Sequence, residues 1–285
     1  IEPQSDVARI RVRIDGHLRQ LCQYPKKWHD QLCAKIKLEA RIDISEKRIP
    51  QDGHVHQMAH SLMDCRVATL PTIHGEKITI RLLPNTIDHL HIDNIGLSHT
   101  QLSQMKQLLQ KDHGLILISG PTGSGKTRTI YSYLHLLNQQ SKNICTIEDP
   151  AEIQLEGINQ LSIHPKSGLT FDVGLKSLLR HDPDILMIGE IRDQTTASIA
   201  FQAAQTGHLV FASIHANSAL GILARLTHLG ISKDLLCDAL LALCSQRLVR
   251  KLCQVCLGLS DSECECTGSG YQGRSEEHTS ELQSH

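Results

Sequence analysis

The sequence has few aromatic residues, no excess of charge of either sign and no long hydrophobic run. Phe, Trp and Tyr together make up 3% of the chain, and 29 Lys and Arg residues are balanced by 30 Asp and Glu residues. A balanced charge supplies no sequence-wide positive field for phosphate backbones, and scarce aromatic side chains leave few platforms on which bases stack. These absences argue against a protein whose partner is a nucleic acid.

Membrane-spanning and secretory signals are also missing from the sequence. No apolar run approaches the roughly 20 residues that a membrane-spanning helix needs. The first residues, IEPQSDVARIRVRIDG, lack the apolar core of a signal peptide. We therefore expect a cytosolic protein. Its 285 residues, of which 40% are hydrophobic, suffice for one large or two ordinary domains.

Ten cysteines are present, of which six are scattered through apolar segments and four lie between Cys253 and Cys266. This distribution is typical of reduced thiols plus one metal cluster rather than of a disulfide scaffold. Two thiolates two residues apart, as in Cys253-Gln-Val-Cys256, can share a tetrahedral Zn²⁺. Cys264-Glu-Cys266 is less typically spaced. The sequence therefore leaves two interpretations of these cysteines open. One is a structural Zn²⁺ site, and the other is a distorted or metal-free cluster.

Residues 1–94 mix short strands with one helix, which predicts a small α+β domain whose start is truncated. Apolar and basic residues alternate in ARIRVRI, and Asp15-Gly16 follows as a hairpin turn. Trp28, Leu32 and Ile36 form one helical stripe between residues 27 and 42. A second strand pair, DCRVATL and EKITIRLL, flanks a turn around His74-Gly75.

Residues 95–252 alternate helices with continuous apolar runs, which predicts a doubly wound α/β core. Ser98 is placed to cap the first helix. Buried strands are expected at residues 115–118, 144–147, 185–188 and 209–214, and a closing helix at residues 232–250. Residues 253–273 carry the cysteine motif. Residues 274–285, RSEEHTSELQSH, show neither a helical stripe nor strand alternation and are interpreted as a non-native tail.

The segment GPTGSGKT has the spacing of a P-loop and lies between the apolar strand LILIS and a helix that starts near Thr127. Backbone N–H groups of such a loop surround the β-phosphate of a nucleotide, while Lys126 reaches the β- and γ-phosphates and the Thr127 hydroxyl can bind Mg²⁺. The sequence therefore predicts an ATP site. Its residues are Gly120, Pro121, Thr122, Gly123, Ser124, Gly125, Lys126 and Thr127.

Acidic residues follow two of the predicted strands, where a P-loop needs them to hold Mg²⁺ and orient water. TIEDPAE carries Glu148, Asp149 and Glu152, and DPDILMIGEIRD carries Gly189-Glu190. Because a Gly stands where such a strand usually ends in Asp, we expect Glu190 to act on Mg²⁺ through water. Acids that follow a strand are often only solvated loop residues. The two histidines in TGHLVFASIHAN, taken alone, are likewise more often packed or solvated residues than functional ones.

Four motifs stand in one order: GPTGSGKT, TIEDPAE, DPDILMIGEIRD and AAQTGHLVFASIHAN. They resemble the Walker A, Asp box, Walker B and His box of the bacterial type II secretion and type IV pilus assembly ATPases. The likeness extends to VRIDGHL, EKRIPQDG and RVATLPTIHGEKITIRLL in the first domain. The resemblance implies a RecA-like motor domain preceded by a small PAS-like α+β domain, with a C-terminal cysteine insertion that binds Zn²⁺.

The resemblance also implies roles and partners. Glu152 is expected to be the general base, Glu190 the Walker B acid and His215 the His-box sensor, while Arg66 and Arg81 reach the γ-phosphate from the small domain. The implied assembly is a homohexameric ring that works with inner-membrane platform and cytoplasmic-ring proteins of a pilus or secretion machine. It is cytoplasmic and peripheral to the bacterial inner membrane. Two positions depart from the family pattern, Arg128 and Ala216.

Three other functions remain open on the sequence. The first is a pilus-retraction motor, against which the cysteine pair and RIPQDG argue. The second is a nucleic-acid translocase of the same superfamily, which the balanced charge and scarce aromatic residues disfavour. The third is a fragment that binds ATP without catalysing its hydrolysis. The sequence does not distinguish a secretion pseudopilus from an adhesive or DNA-uptake pilus.

Overall fold

A computed structural model describes residues 1–14, 16–55, 63–84, 90–259 and 270–282. The chain forms two compact units that divide between Thr86 and Ile87. The first unit contains β1 (Glu2–Pro3), β2 (Val7–Ile14), β3 (His17–Pro25), α1 (His29–Glu39), β4 (Gln51–Val55), β5 (Met63–Thr72) and β6 (Gly75–Pro84).

The second unit contains six helices and seven strands in its described residues. The helices are α2 (His99–Leu108), α3 (Lys126–Leu137), α4 (Phe171–Leu178), α5 (Gln194–Gln205), α6 (Ala219–His228) and α7 (Lys233–Ala239). The strands are β7 (Gly114–Ser119), β8 (Ile144–Glu148), β9 (Asn159–Ser162), β10 (Ile185–Ile188), β11 (Leu209–Ile214), β12 (Leu240–Leu252) and β13 (Tyr271–Leu282). Within the described ranges, no helix has both the length and the apolar character required to cross a membrane.

Two antiparallel three-stranded sheets and one helix make up the first unit, in the orders β1-β2-β3 and β4-β5-β6. The prediction of a small α+β domain is confirmed. Its core includes Cys33 and Ile36 from α1, with Val67 and Ile78 from the second sheet. Because buried side chains such as Val67 and Ile78 alternate with more exposed ones along β5 and β6, each strand buries only one face.

Both predicted strand pairs of the first unit form hairpins. Ile14 pairs with His17 at the end of the β2–β3 hairpin, and Gly16 has a φ of +86°. Asp15, the other predicted turn residue, lies outside the described residues. The β5–β6 hairpin closes where Thr72 pairs with Gly75, which places the two-residue turn at Ile73-His74, one residue before the predicted His74-Gly75.

One seven-stranded sheet organises the second unit, in the order β13-β12-β7-β11-β10-β8-β9. All of its strand pairs are parallel except β12 with β13, which is antiparallel. The four buried strands predicted from continuous apolar runs correspond to β7, β8, β10 and β11, and each is confirmed. In a parallel sheet covered on both faces every side chain is buried, so the sequence shows no alternation.

Helices cover the two faces of this sheet. Leu115 and Leu117 of β7 pack on one face with residues of α4 to α7, whereas Ile116 and Ile118 pack on the other with residues of α2 and α3. The predicted doubly wound α/β core is confirmed. In such folds ligands bind at the carboxyl ends of the strands. The loops that follow β7, β8, β10 and β11 therefore lie at the edge of the sheet where a site is expected.

The predicted cap of the first helix of this unit is confirmed as a capping box. The Ser98 hydroxyl accepts a hydrogen bond from the Gln101 backbone N–H at 3.3 Å, and the Gln101 side chain accepts one from the Ser98 N–H at 3.0 Å. Two N–H groups that the helix itself leaves unpaired are thereby satisfied.

The closing helix predicted at residues 232–250 is wrong over most of its length. Helix α7 ends at Ala239, and Leu240 begins the long strand β12. Ala242 pairs with Ile116 and Cys244 with Ile118 in a parallel ladder, so the sheet satisfies the backbone groups that a helix would pair internally. A buried strand and a buried helix both appear as apolar runs, which is why periodicity misassigns this segment.

Residues 274–282, for which the sequence pattern predicts no element, continue strand β13. Arg250 pairs with Arg274 and Ala242 with Leu282 along an antiparallel ladder with β12. Such a ladder uses only backbone N–H and C=O groups, so a polar sequence without alternation can form it. The strand occupies one edge of the seven-stranded sheet.

Candidate active site

The loop of residues 120–125 connects the end of β7 to the start of α3, in the context that a P-loop requires. Gly123 has a φ of +78° and Gly125 a φ of +89°, both in the left-handed region. A Cβ at Gly123 would meet no atom within 4 Å. Glycine is therefore needed at Gly123 for its backbone conformation alone. Successive N–H groups in turns of this kind can point toward one anion.

Gly120 is needed for a different reason, which is close approach of another strand. A Cβ at this position would lie 2.3 Å from the backbone oxygen of Gln246 and 2.5 Å from the Ser124 hydroxyl. Because the first of these atoms belongs to the backbone of β12, it cannot rotate away. The loop begins in direct contact with the neighbouring strand.

We expect Gly120→Ala to lower the free energy of unfolding by about 2–4 kcal/mol, because it combines a steric clash with an unfavourable φ. Gly123→Ala is the matched control, since it adds the same methyl group in open space and should lose only about 1–2 kcal/mol. Denaturant unfolding of the two variants measures the difference. Equal losses in both would contradict the close approach of β12.

Lys126 is half-buried in the first turn of α3 and lies against its own loop. Its Nζ donates to the carbonyl oxygens of Gly120 at 2.7 Å and Pro121 at 3.1 Å. Burial lowers the pKa of the Lys126 ammonium, and the carboxylates of Glu190 and Glu152 act in the opposite direction. Both acids expected from the sequence are therefore close enough to the P-loop lysine to affect it electrostatically.

Glu148 is a buried carboxylate that other side chains satisfy completely. It accepts hydrogen bonds from Thr146 at 2.6 Å, from Gln160 at 3.2 Å and from the Tyr131 hydroxyl. Burial, followed by the charge of Glu148, raises the pKa of the Tyr131 phenol, which remains protonated. Of the acids in TIEDPAE, Glu148 is thus committed to the packing of α3 against β8.

Glu152 differs from Glu148 because its side chain is exposed. Its backbone N–H donates to the Tyr131 hydroxyl at 3.3 Å, which ties the loop after β8 to α3. The chain of contacts from Glu148 through Tyr131 to Glu152 fixes where this loop leaves the sheet. The Glu152 side chain is open to solvent, where its carboxylate can accept a proton from water.

Glu190 lies at the centre of an ionic network at the ends of β8, β10 and β11. One carboxylate oxygen contacts His215 Nε2 at 3.0 Å, and the other accepts from Arg192 Nε at 2.8 Å. Arg192 also reaches Asp149 at 3.4 Å. The hydrogen bond to Glu190 is the main cause that raises the pKa of Arg192. The Asp box, Walker B and His box residues thus meet in the fold.

Arg66 and Arg81 lie in the first unit, where they are directly paired across β5 and β6. His54 pairs with Arg66 on the other side of β5. Directly opposed residues of antiparallel strands project from the same face of a sheet. The three basic residues therefore form one row across the sheet, and like charges in such a row repel one another.

The cysteine motif is described only in part. Cys253 and Cys256 are both buried, at 0% and 8% exposure, and follow directly after β12. Cys264 and Cys266 lie outside the described residues. Among the residues that the structure describes, no group of three or more His, Cys, Asp or Glu side chains could hold a metal ion.

Three residues of this site do not follow from the sequence reasoning. Arg192 lies within the run DPDILMIGEIRD, two residues after Glu190. A basic residue so close to the acid was the signal that could have indicated their ion pair. Tyr131 follows the P-loop at helical spacing, but nothing in the sequence indicates its contact with Glu148. Gln246 falls in the segment wrongly predicted as helix, which hides its place beneath the P-loop.

The loop between β7 and α3 and the acids that follow β8 and β10 give the second unit the architecture of the P-loop class. Residues 1–281 match the family described as Type II/IV secretion system protein. The chain belongs to that family.

Two curated relatives and one solved structure place the chain within this family. It is 42% identical over 285 residues to the Type II secretion system protein HxcR of Pseudomonas aeruginosa, covering 98% of this chain and 61% of the relative. It is 46% identical over 257 residues to the Type IV pilus assembly ATPase PilB of Acinetobacter baylyi, covering 90% and 44%. The crystal structure of the pilus retraction motor PilT with bound ADP matches at a TM-score of 0.69 and 26% identity, covering 98% of this chain and 80% of that one.

Proposed function

We propose that this chain hydrolyses ATP to ADP and phosphate, and that hydrolysis powers the assembly of type IV pili or of a type II secretion pseudopilus. The observation that carries the proposal is the position of Lys126 at the start of α3, in a glycine loop of P-loop form that directly follows β7. Acids follow β8 and β10 at the same end of the sheet. The names of the curated relatives support the second part of the proposal, that hydrolysis powers a pilus or secretion machine. Because the chain spans only 61% and 44% of these relatives, that part describes the longer protein.

The residues of the loop fit a nucleotide phosphate. Left-handed glycines at Gly123 and Gly125 turn backbone N–H groups toward an anion at the start of α3, and Lys126 adds a positive charge. The Thr127 hydroxyl and, through water, Glu190 would hold Mg²⁺, which supplies charge neutralisation for the transferred phosphoryl group. Oxygen donors of this kind suit Mg²⁺.

Glu152 is proposed as the general base, because its exposed carboxylate can accept a proton from the attacking water. His215 is proposed as the sensor of the Walker B acid. Its Nε2 contacts one oxygen of Glu190 while Arg192 contacts the other, so any change in the orientation of Glu190 must alter both contacts. The loop after β11 would thereby respond to events at the phosphate site.

We propose that the first unit is a PAS-like domain. Its row of basic residues is suited to binding an anion. Two guanidinium groups placed directly opposite each other repel, and a phosphate between them would remove that repulsion. We propose, as the family resemblance implies, that Arg66 and Arg81 stabilise charge that develops on the γ-phosphate as it is transferred.

Replacing either Arg66 or Arg81 by alanine is expected to lower kcat by about 10–100-fold and to change ATP affinity by much less, because the arginines act mainly on the transition state. Steady-state phosphate release gives kcat, and equilibrium binding of an ATP analogue gives affinity. Arg13→Ala, which changes an exposed arginine on β2 of the same unit, is the control. Equal losses in kcat and affinity would count against this role.

We further propose a homohexameric ring in the cytoplasm, peripheral to the bacterial inner membrane, that acts on platform and cytoplasmic-ring proteins of its machine and not on nucleic acid. The chain's identity to relatives named for type II secretion and pilus assembly is 42–46%, against 26% to the retraction motor. That difference favours assembly over retraction.

The machine-level proposal is tested by a chimera. The matching segment of HxcR is replaced by this chain and expressed in Pseudomonas aeruginosa that lacks its own copy of the gene. We expect the chimera to restore secretion and the same chimera with Lys126→Ala to fail. Restoration by both chimeras would show that secretion does not depend on the nucleotide site and would contradict the proposal.

A structural Zn²⁺ bound by Cys253, Cys256, Cys266 and Cys264 is also proposed, since Cys253 and Cys256 are buried and thiolates are its preferred ligands. Elemental analysis of protein purified without chelators should give about one Zn²⁺ per chain. Cys256→Ser should lose the metal. Cys237→Ser, which changes an exposed cysteine of α7, should retain it. Wild-type protein without zinc would refute the site.

A further inference from the structure

The side chain of Gln246 is a fully buried amide beneath the phosphate loop. It belongs to β12 and is 0% exposed. Its Nε2 donates to the carbonyl oxygen of Ser124 at 2.7 Å, and its Oε1 accepts from the Thr129 hydroxyl at 2.8 Å. One amide therefore contacts both the loop and the first turn of α3.

These two contacts fix the shape of the segment between them. Ser124 immediately precedes Gly125, the left-handed residue just before α3, and Thr129 is itself 0% exposed. A buried amide is stable only when its donor and acceptor are both paired, so Gln246 constrains the distance between the Ser124 carbonyl and α3. The intervening N–H groups are those that the proposed function assigns to phosphate.

The backbone of β12 adds a second constraint at the start of the loop. The Gln246 carbonyl oxygen lies where a Cβ at Gly120 would be 2.3 Å away. The next residue, Arg247, donates from Nη2 to the Asn217 carbonyl at 3.0 Å, two residues beyond His215. Adjacent residues of one strand thus contact the phosphate loop at both ends and the loop that carries His215.

We propose that Gln246 is a positioning residue for the phosphate loop, which holds the backbone around Ser124 and Gly125 in its anion-binding conformation before nucleotide arrives. Preorganised donors bind an anion without reordering the loop at that moment, so loss of the amide lowers affinity for phosphates. The inference rests on the proposed function, because it requires that nucleotide phosphates bind at this loop.

The test is ADP binding by the full 285-residue chain, measured by calorimetry well below the unfolding temperature of every variant. Gln246→Met keeps the length of the side chain and removes both hydrogen bonds. We expect its Kd for ADP to rise about tenfold, the change that corresponds to one lost interaction of ordinary strength. A Kd within a factor of two of wild type in the folded variant overturns the proposal.

A matched pair at the partner residue keeps the proposal falsifiable should Gln246→Met fail to fold. Thr129→Val is isosteric and removes the donor, whereas Thr129→Ser retains the hydroxyl. Weaker ADP binding by the valine variant with near wild-type binding by the serine variant supports the proposal, and equal affinities overturn it. Combining Gln246→Met with Thr129→Val should raise Kd by less than the product of the single effects.

Leu243→Ala separates positioning from general stability, because it truncates a core side chain on the same strand. This variant should unfold at a lower temperature and still bind ADP with wild-type affinity. If it loses as much affinity as Gln246→Met, the effect is one of stability and the inference falls. Wild-type protein that binds no ADP would instead overturn the proposed function itself.

Discussion

Lys126→Ala is expected to reduce steady-state ATP hydrolysis by at least about a hundredfold, the loss that follows removal of a single preorganised group from the charge-stabilising part of a site. Lys126 is half-buried at the start of α3, and its Nζ lies within 2.7 Å of the Gly120 carbonyl. No other lysine belongs to the GPTGSGKT segment. Alanine leaves the helix intact, because its helix propensity is at least as favourable.

Lys106→Ala is the control for this prediction. Lys106 lies on α2, and its ammonium forms an exposed ion pair with Asp93 at 3.0 Å. An exposed pair contributes little, so this variant should hydrolyse ATP as the wild type does. Phosphate release measured for the two variants decides the matter. Unchanged hydrolysis by Lys126→Ala would remove the phosphate loop from the mechanism.

Glu190→Gln is expected to lower kcat by about 10²–10⁴-fold while ATP affinity changes far less, the range over which positioned acids and bases contribute. The substitution keeps the shape of the side chain and removes its charge. The carboxylate contacts Arg192 and His215, and its charge opposes the lowering of the Lys126 pKa by burial. A neutral amide binds hydrated Mg²⁺ less strongly and removes the ion pair with Arg192.

Glu156→Gln provides the comparison, because Glu156 is an exposed acid in the loop after β8. Its kcat should equal that of the wild type. Single-turnover hydrolysis and equilibrium binding of ATP separate the two effects. If Glu190→Gln retains kcat within a few-fold, the Walker B assignment is incorrect.

Much of the second unit was predictable because parallel strands covered on both faces appear in sequence as continuous apolar runs. The strands β7, β8, β10 and β11 follow this rule, and the loops that carry the site begin where those runs end. The P-loop was predictable for a related reason, since its glycines and lysine have fixed spacing between a strand and a helix.

Long-range pairing explains what the sequence did not reveal. Whether residues 240–252 form a helix or a strand depends on β7, which lies more than a hundred residues earlier in the chain. Once β12 is misassigned, the contact of Gln246 with Ser124 and Thr129 is invisible. The commitment of Glu148 to Tyr131 is a tertiary contact of the same kind. The row of His54, Arg66 and Arg81 likewise emerges only from strand register.

The most direct test of the central claim is steady-state phosphate release by the wild-type chain at saturating ATP, with and without Mg²⁺, over a range of protein concentrations. A site that joins a phosphate loop to the acids Glu152 and Glu190 predicts release that requires Mg²⁺ and ceases when the metal is chelated. Release no faster than in protein-free buffer, at every concentration and with ATP bound, would contradict the assignment of this chain as an ATP hydrolase.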